Sequence, residues 1–153
     1  MSNELKRTAA EIEDLIRKIA RIMNKRLRDS LKESAITPPQ FFALVNIYRE
    51  EGITIGELCD QMFLACSTVS GLIDRLEKVE LVERYRDEED RRVVRLKLTK
   101  KGRICTETIL EKRREKFEKD LEMIEMERQH ELIDNLNLLL QIMTDAESEK
   151  IND

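Results

Sequence analysis

Apolar residues recur along this chain at the three- and four-residue spacing of amphipathic helices. The first such stripe, from Leu5 to Leu27, predicts a long helix from Glu4 to about Leu31. Thr37-Pro38-Pro39-Gln40 predicts the start of a second helix, because a cap threonine, a proline at the first position and a glutamine three residues on form a capping box. Thr54-Ile55-Gly56-Glu57 repeats the box and opens a third helix, whose expected apolar residues are Ile55, Leu58, Cys59, Met62 and Phe63.

A fourth helix follows with two contrasting faces. Its apolar stripe, predicted to face a core, consists of Val69, Leu72, Ile73, Leu76 and Val79. The opposite face is small and polar, with Ser67, Ser70, Gly71, Asp74 and Lys78 at its centre and Thr68 and Arg75 on its flank. A DNA major groove admits a helix whose outer face is slim enough to approach base edges. The pattern therefore fits a recognition helix, and the alternative is an ordinary amphipathic surface helix.

Two strands with a period of two come next. Val94, Leu96 and Leu98 alternate with Val93, Arg95 and Lys97, and Leu81 to Arg86 is a second short strand. The connection from Asp87 to Arg92 is too polar for a core and is either a solvated turn or the tip of a DNA-binding wing. Directly after a helix-turn-helix, the wing is favoured, with Arg91 or Arg92 reaching a minor groove or phosphates. The neighbouring carboxylates are expected to orient the guanidinium by bidentate pairing.

Three segments here resemble the MarR family of bacterial transcriptional regulators. Ser67 to Glu77 is similar to the family's recognition helix, Asp87 and Asp90-Arg91-Arg92 to its wing signature, and Leu98 to Gly102 to the start of its next helix. One departure is Glu80, where the family often has glycine; glycine relieves a left-handed cap, so a slightly altered turn is expected. The resemblance implies a small, often aromatic or phenolic, effector that changes the spacing of two DNA-binding heads. It does not identify the effector-binding residues.

The end of the chain predicts two more helices. Thr99 caps one that runs to about Lys119, and another extends from about Met123 to Ala146. The last apolar arc is too broad to pack on one neighbouring helix, which favours an intertwined dimer of terminal helices over a monomeric helical cap. The predicted fold class is mainly α with a small β wing, a winged helix-turn-helix plus a terminal-helix dimerisation domain. Its predicted parts are a dimerisation helix at 1–34, the DNA-binding region at 35–103 and C-terminal dimerisation helices at 104–153.

Charge distribution changes the picture that the net charge of −4 alone would give. From Ala65 to Arg103, eleven Lys and Arg stand against eight Asp and Glu, so the positive surplus coincides with the predicted DNA face. Local charge matters more than the total for phosphate contact. No run of eighteen apolar residues and no signal sequence is present, which predicts no membrane association and a cytoplasmic location.

Candidate chemistry other than DNA binding is sparse. The single histidine, His130, lies among charged residues and is expected to be an exposed helical residue. No zinc-finger spacing, P-loop or dinucleotide fingerprint is present, so the sequence predicts no metal, no cofactor and no enzyme.

The three cysteines, an odd number, favour reduced thiols over a disulfide framework. Cys59 lies on an apolar stripe and Cys105 on the helix after the wing, which makes structural roles the expectation for both. Cys66 lies at or just before the recognition helix, where the helix dipole favours a reactive thiolate. It is either a redox-sensing residue or simply a small residue at a tight turn.

The sequence thus predicts a homodimeric, sequence-specific regulator of transcription that binds pseudo-palindromic double-stranded DNA, a repressor released by a small-molecule effector. Ser67, Thr68, Ser70 and Gly71 are expected to approach bases and nearby phosphates, and Arg75 and Lys78 to contact the backbone. Arg91 or Arg92 is expected to enter the flanking minor groove. Two alternatives remain open: a thiol-based redox regulator on the same fold, and a winged helix that docks proteins.

Overall fold

The computed structural model describes the backbone of residues 3–151 and the side chains of residues 3–146. In chain order its elements are α1 (Asn3–Leu31), α2 (Pro38–Arg49), α3 (Ile55–Met62), α4 (Cys66–Lys78), β1 (Val82–Arg86), β2 (Val94–Leu98), α5 (Lys100–Leu121) and α6 (Met126–Ile151). The predicted mainly α architecture with a small β wing is confirmed. Each predicted strand is one residue shorter at its start, since β1 begins at Val82 and β2 at Val94.

Both predicted capping boxes are present and fix where α2 and α3 begin. The Thr37 hydroxyl accepts from the Gln40 amide, while the Gln40 side chain accepts from the Thr37 amide at 2.9 Å. In the second box, the Glu57 amide donates to the Thr54 hydroxyl at 3.2 Å and the Thr54 amide donates to the Glu57 carboxylate at 2.8 Å. The backbone amide and then the hydroxyl of Thr54 lower the pKa of Glu57, because they stabilise its charged form.

Helix α4 ends in a left-handed turn of the kind that glycine usually forms, although Glu80 occupies the left-handed position. The Leu81 amide donates to the Leu76 carbonyl and the Glu80 amide to the Glu77 carbonyl, both at 2.9 Å, which is the Schellman arrangement. Glu80 adopts a left-handed φ of 59°, so the turn expected to be altered is retained with a strained residue in it. Val79 lies after the helix and is 48% exposed, so the prediction that it faces the core is wrong.

The hydrophobic core lies within the winged helix and draws on every element from the end of α1 to the first half of α5. Its fully or nearly fully buried members include Leu27, Phe41, Leu44, Ile47, Ile53, Leu58, Val69, Ile73, Leu76, Val82, Leu96 and Ile109. The other four residues of the predicted α4 stripe do face the core, since Val69, Leu72, Ile73 and Leu76 are all buried.

Strand β2 is paired on both sides. On one side it forms an antiparallel ladder with β1, from Val82 opposite Leu98 to Arg86 opposite Val94. On the other side the Gly52 amide donates to the Leu96 carbonyl and the Leu96 amide to the Ile53 carbonyl, both at 2.9 Å. The residues that lead into α3 therefore pair with β2 as a third strand would. This pairing connects the wing to the helix-turn-helix.

The chain divides into two compact units, 1–113 and 114–153. In the first, α1 buries Leu27 and Leu31 near its end, whereas its apolar residues from Leu5 to Met23 are 40% exposed or more. In the second, the described part of α6 leaves eight large apolar side chains exposed: Met126, Leu132, Ile133, Leu136, Leu138, Leu140, Ile142 and Met143. Among residues 3–151, no helix combines the length and apolar content needed to cross a membrane.

Helices α5 and α6 are joined close to the predicted division near Asp120. The Gln129 side chain donates to the carbonyls of Leu121 at 3.0 Å and Ile124 at 2.8 Å, so it satisfies acceptors that the end of α5 leaves open. The predicted division of the chain into a dimerisation helix at 1–34, a DNA-binding region at 35–103 and dimerisation helices at 104–153 stays a prediction.

Gly102 is predicted to be irreplaceable at the start of α5. A Cβ atom there would lie 1.9 Å from the Leu81 carbonyl oxygen, a backbone atom that cannot rotate away. Gly102→Ala should therefore lower the free energy of unfolding by roughly 1–3 kcal/mol, as overpacking does, measured by urea denaturation. The matched control is Gly71→Ala in α4, where the new Cβ would meet nothing within 4 Å. Equal stability of Gly102→Ala and wild type would contradict this close contact.

Candidate nucleic-acid interface

The start of α4 presents the small polar face that the sequence predicts. Ser67 and Thr68 are exposed, and Ser70 and Gly71 are half-buried. A Cβ on Gly71 would enter open space, so nothing in the protein requires glycine there. The helix has no side-chain cap at Ala65, unlike α2 and α3. The first turn is consequently slim and open to an approaching backbone or base edge.

The C-terminal half of α4 is braced against β1 by an arginine that sequence reasoning missed. Arg84 contacts Asp74 at 2.8 Å and also pairs with Glu77, whose carboxylate in addition accepts from the Arg84 amide at 3.2 Å. Alternation along β1 places Arg84 on one face of the sheet, but the sequence does not show that α4 lies beside it. The brace pairs two carboxylates of α4, Asp74 and Glu77, with a positive charge.

Arg75 and Lys78 lie exposed on the same helix. Within the described part of the chain neither forms an ion pair with a carboxylate, in contrast to Arg84. Two cations on α4 thus remain available to phosphates, while the neighbouring anions are occupied.

Asp87 and Arg95 organise the base of the wing. The Asp87 carboxylate accepts from the amides of Glu89 and Asp90, each at 2.9 Å, and from the Arg95 guanidinium. The Asp90 amide, followed by the Arg95 side chain, holds the pKa of Asp87 at about 2, and Asp87 in turn raises the pKa of Arg95. Arg95 also donates to the Gly52 carbonyl at 2.9 Å. Asp87 was recognised in the sequence as part of the wing signature, but its partner Arg95 was not.

At the wing tip, Arg91 and Arg92 are exposed. The Arg92 side chain is 94% exposed and touches Asp90 through Nε alone, at 3.3 Å, so the predicted bidentate pairing is wrong. Arg91 contributes its carbonyl, which accepts from Arg86 at 2.7 Å, and this bond shapes the loop while leaving the Arg91 guanidinium outside it. Both guanidiniums project from a loop whose backbone is fixed by Asp87 and Arg86.

The cysteines differ from the sequence-based expectation. Cys59 and Cys66 are joined by a disulfide with a Cα–Cα distance of 5.4 Å, so the predicted reduced state of all three thiols is wrong for this pair. The physical reason is that the turn between α3 and α4 folds back and brings positions seven apart into contact. Phe63 in that turn is 92% exposed and does not join the core as expected. Cys105 is a half-buried free thiol whose pKa is raised by burial.

His130 is exposed on α6, as predicted. Among the residues whose side chains are described, no group of three or more His, Cys, Asp or Glu is arranged to hold a metal ion.

Comparison with known proteins points to one family. The sequence profile of the MarR family matches residues 36–94. The HTH-type transcriptional regulator YsmB of Bacillus subtilis (strain 168) is 48% identical over 106 residues, which cover 69% of this chain and 73% of YsmB. The structure of a MarR family protein from Bacillus stearothermophilus aligns with a TM-score of 0.85 and 42% identity, covering 94% of this chain and 99% of that one.

Staphylococcus aureus MepR, at 25% identity, has been solved in two relevant complexes. A point mutant bound to an oligodeoxyribonucleotide aligns with a TM-score of 0.61 over 86% of this chain and 97% of that chain. MepR bound to ethidium bromide aligns with a TM-score of 0.62 over 86% of this chain and 95% of that chain. The matched relatives are regulators of transcription rather than enzymes. With its capped helix-turn-helix, its slim α4 face and its arginine-tipped wing, this chain belongs to the MarR family of winged-helix, DNA-binding transcriptional regulators.

Proposed function

We propose that the protein acts as a homodimeric repressor that binds a pseudo-palindromic operator and is released by a small aromatic or phenolic molecule. The observation that carries the DNA-binding assignment is the joint placement of two exposed features. The wing that carries the two arginines is paired with the segment leading into α3, and α4 buries Val69, Leu72, Ile73 and Leu76 in the same core, so both features belong to one packed winged helix. A groove-binding helix with a flanking arginine is a recurrent way of reading duplex DNA.

The proposed contacts follow from exposure and charge. Ser67, Thr68, Ser70 and Gly71 approach base edges and nearby phosphates, Arg75 and Lys78 bind the backbone, and Arg91 or Arg92 enters the minor groove. The oligodeoxyribonucleotide complex of the MepR mutant supports duplex binding by this fold. Selection of bound sequences from random duplexes tests the whole assignment. Enriched inverted repeats with half-sites about one helical turn apart are expected, with affinity that falls steeply as salt rises. Equal binding to single strands would contradict it.

The dimer is proposed from surfaces that a single chain leaves in water. The apolar residues of α1 before Leu27 and those of α6 from Leu132 to Met143 remain largely exposed in this chain. An exposed apolar face of this kind on either helix marks an interaction site. A second copy of the chain is the partner that also supplies a second recognition helix, as an inverted repeat requires.

Release by a small molecule is supported by the MepR complex with ethidium, an aromatic cation. In this chain a shallow, partly apolar groove of about 370 Å³ lies between α2 and α3 and is a candidate place for such a molecule; it is lined by Pro39, Phe42, Asn46, Gln61, Met62 and Leu64. Repression then has a steric basis, because a dimer seated across two successive major grooves excludes other proteins from that stretch of DNA.

Gly71→Ala should separate stability from DNA binding. Alanine is the better helix former, so the free energy of unfolding should rise by roughly 0.5–1 kcal/mol. The added methyl group would project from the slim face of α4, and DNA binding should weaken by about 1–3 kcal/mol, the usual cost of a disturbed base contact. Urea denaturation and a gel shift on the selected operator measure the two effects. Gly56→Ala in α3 is the matched control and should leave affinity unchanged; unchanged affinity of Gly71→Ala would place the groove contact elsewhere.

Arg92→Ala should weaken DNA binding more than it weakens the fold. The side chain is almost fully exposed, so stability should change by less than about 0.5 kcal/mol. Loss of a minor-groove arginine should cost about 1–3 kcal/mol of binding free energy, and Arg91→Ala should do so instead if Arg91 is the inserted residue. Lys112→Ala on α5 removes the same charge outside the winged helix and serves as the control. Full affinity of both arginine variants would remove the wing from the interface.

The double variant Ile133→Arg with Leu140→Arg should prevent dimer formation, because it places two charges on the exposed apolar face of α6. Sedimentation should report a monomer, and affinity for a full inverted repeat should fall by roughly a hundredfold or more as linked binding is lost. Asp134→Arg with Gln141→Arg introduces arginines at the same spacing on a neighbouring, polar face and should remain dimeric. A dimeric Ile133→Arg, Leu140→Arg protein that shifts the operator normally would favour a monomeric helical cap.

A further inference from the structure

The disulfide between Cys59 and Cys66 lies inside the DNA-binding motif itself. Cys59 is in the last turn of α3 and is 4% exposed, whereas Cys66 is the first residue of α4 and is exposed. Their Cα atoms are 5.4 Å apart, well within the range that a disulfide spans. The bond therefore joins the buried end of one helix to the exposed start of the recognition helix.

The turn that this bond closes has few other restraints. Helices α2 and α3 begin with complete capping boxes, but α4 begins at Ala65 without a side-chain cap. Phe63 in the turn adopts a left-handed φ of 53°, a conformation that is unfavourable for a residue with a side chain. Its backbone bonds are long, at 3.3 Å from the Phe63 amide to Asp60 and 3.2 Å from the Leu64 amide to Cys59. A covalent link at this place restrains a turn that no side-chain cap restrains.

We propose that Cys59 and Cys66 form a reversible thiol–disulfide pair, and that the disulfide form binds the operator more tightly than the dithiol form. The second half of this statement rests on the proposed DNA-binding function. The pair itself does not.

Oxidation requires two electrons to leave the pair, and a hydroperoxide is the class of oxidant that accepts them. The exposed Cys66 thiolate attacks one oxygen of the peroxide, the O–O bond breaks, and a sulfenic acid forms on Cys66 while hydroxide or alkoxide departs. The Cys59 thiol then attacks that sulfur: the S–S bond forms and water leaves with the Cys59 proton. A dithiol reductant reverses the process by exchange, becoming a disulfide itself.

Restraint of the chain makes the disulfide form the tighter binder. Ser67 and Thr68 directly follow Cys66, so a bond that fixes Cys66 also fixes the start of the proposed DNA-contacting turn, and less ordering remains to be done on binding.

The test uses the full-length protein, hydrogen peroxide as oxidant, dithiothreitol as reductant and the selected operator duplex. Peroxide should remove two of the three free thiols and leave Cys105, and a digest without reductant should yield the peptide that links 59 to 66. The oxidised protein should bind the duplex roughly two- to tenfold more tightly than the reduced protein, the gain expected from immobilising one or two residues in advance. The disulfide form should also unfold at higher urea concentration.

Three variants locate the effect. Cys105→Ser should respond like wild type, whereas Cys66→Ser should have the affinity of the reduced protein before and after peroxide. Cys59→Ala should agree with Cys66→Ser in forming no link. Three free thiols after peroxide, or an oxidised Cys66 without a bond to Cys59, would overturn the pair. Equal or weaker affinity of the linked form would overturn its coupling to DNA. If the link forms but neither redox form binds any duplex, it is the proposed DNA-binding function that fails.

Discussion

Strand β2 is the element on which the rest of this structure depends, because it is hydrogen-bonded on both sides and buried at its centre. Leu96 is fully buried, its carbonyl and amide pair with Gly52 and Ile53, and its other neighbours pair with β1. Arg95 adds a third connection, from the wing carboxylate of Asp87 to the Gly52 carbonyl. The wing and the segment that leads into α3 are consequently held by the same strand. The proposed reading of adjacent grooves by α4 and the wing would draw on this common attachment.

The distribution of ion pairs divides the charged residues into two groups with different roles. Arg84 and Arg95 are half-buried. Arg84 forms ion pairs with Asp74 and Glu77, and Arg95 forms one with Asp87, and these pairs hold α4 and the wing loop in place. These three carboxylates would otherwise repel phosphates at the surface proposed to contact DNA. Arg75, Lys78 and the wing-tip arginines remain exposed, so the positive surplus of this region is presented outward. A chain with a net charge of −4 can in this way offer a locally cationic surface.

Two left-handed residues flank the recognition helix, Phe63 before it and Glu80 after it. Each is an unfavourable conformation for a residue with a side chain, and each is held by different means. The turn at Glu80 is stabilised by two Schellman hydrogen bonds and by Leu81, which is buried. The turn at Phe63 has weaker hydrogen bonds and an exposed side chain, and it is here that the two cysteines meet. Tertiary packing of α4, through its buried residues Val69, Leu72, Ile73 and Leu76, accompanies both of these turns.

The sequence by itself determined the order of the elements and the starts of α2 and α3, since capping boxes and apolar periodicity depend on residues within a few positions of one another. It also indicated the family, the slim face of α4 and the wing tip, because each is carried by a contiguous segment. The tertiary structure alone decided which charges pair, that Cys59 meets Cys66, and that Val79 and Phe63 lie outside the core. Those outcomes depend on how one element packs against another and on the left-handed turn at Phe63, where no glycine marks the turn in the sequence. Periodicity within a segment does not predict contacts between segments, because those contacts are set by the packing of the whole winged helix.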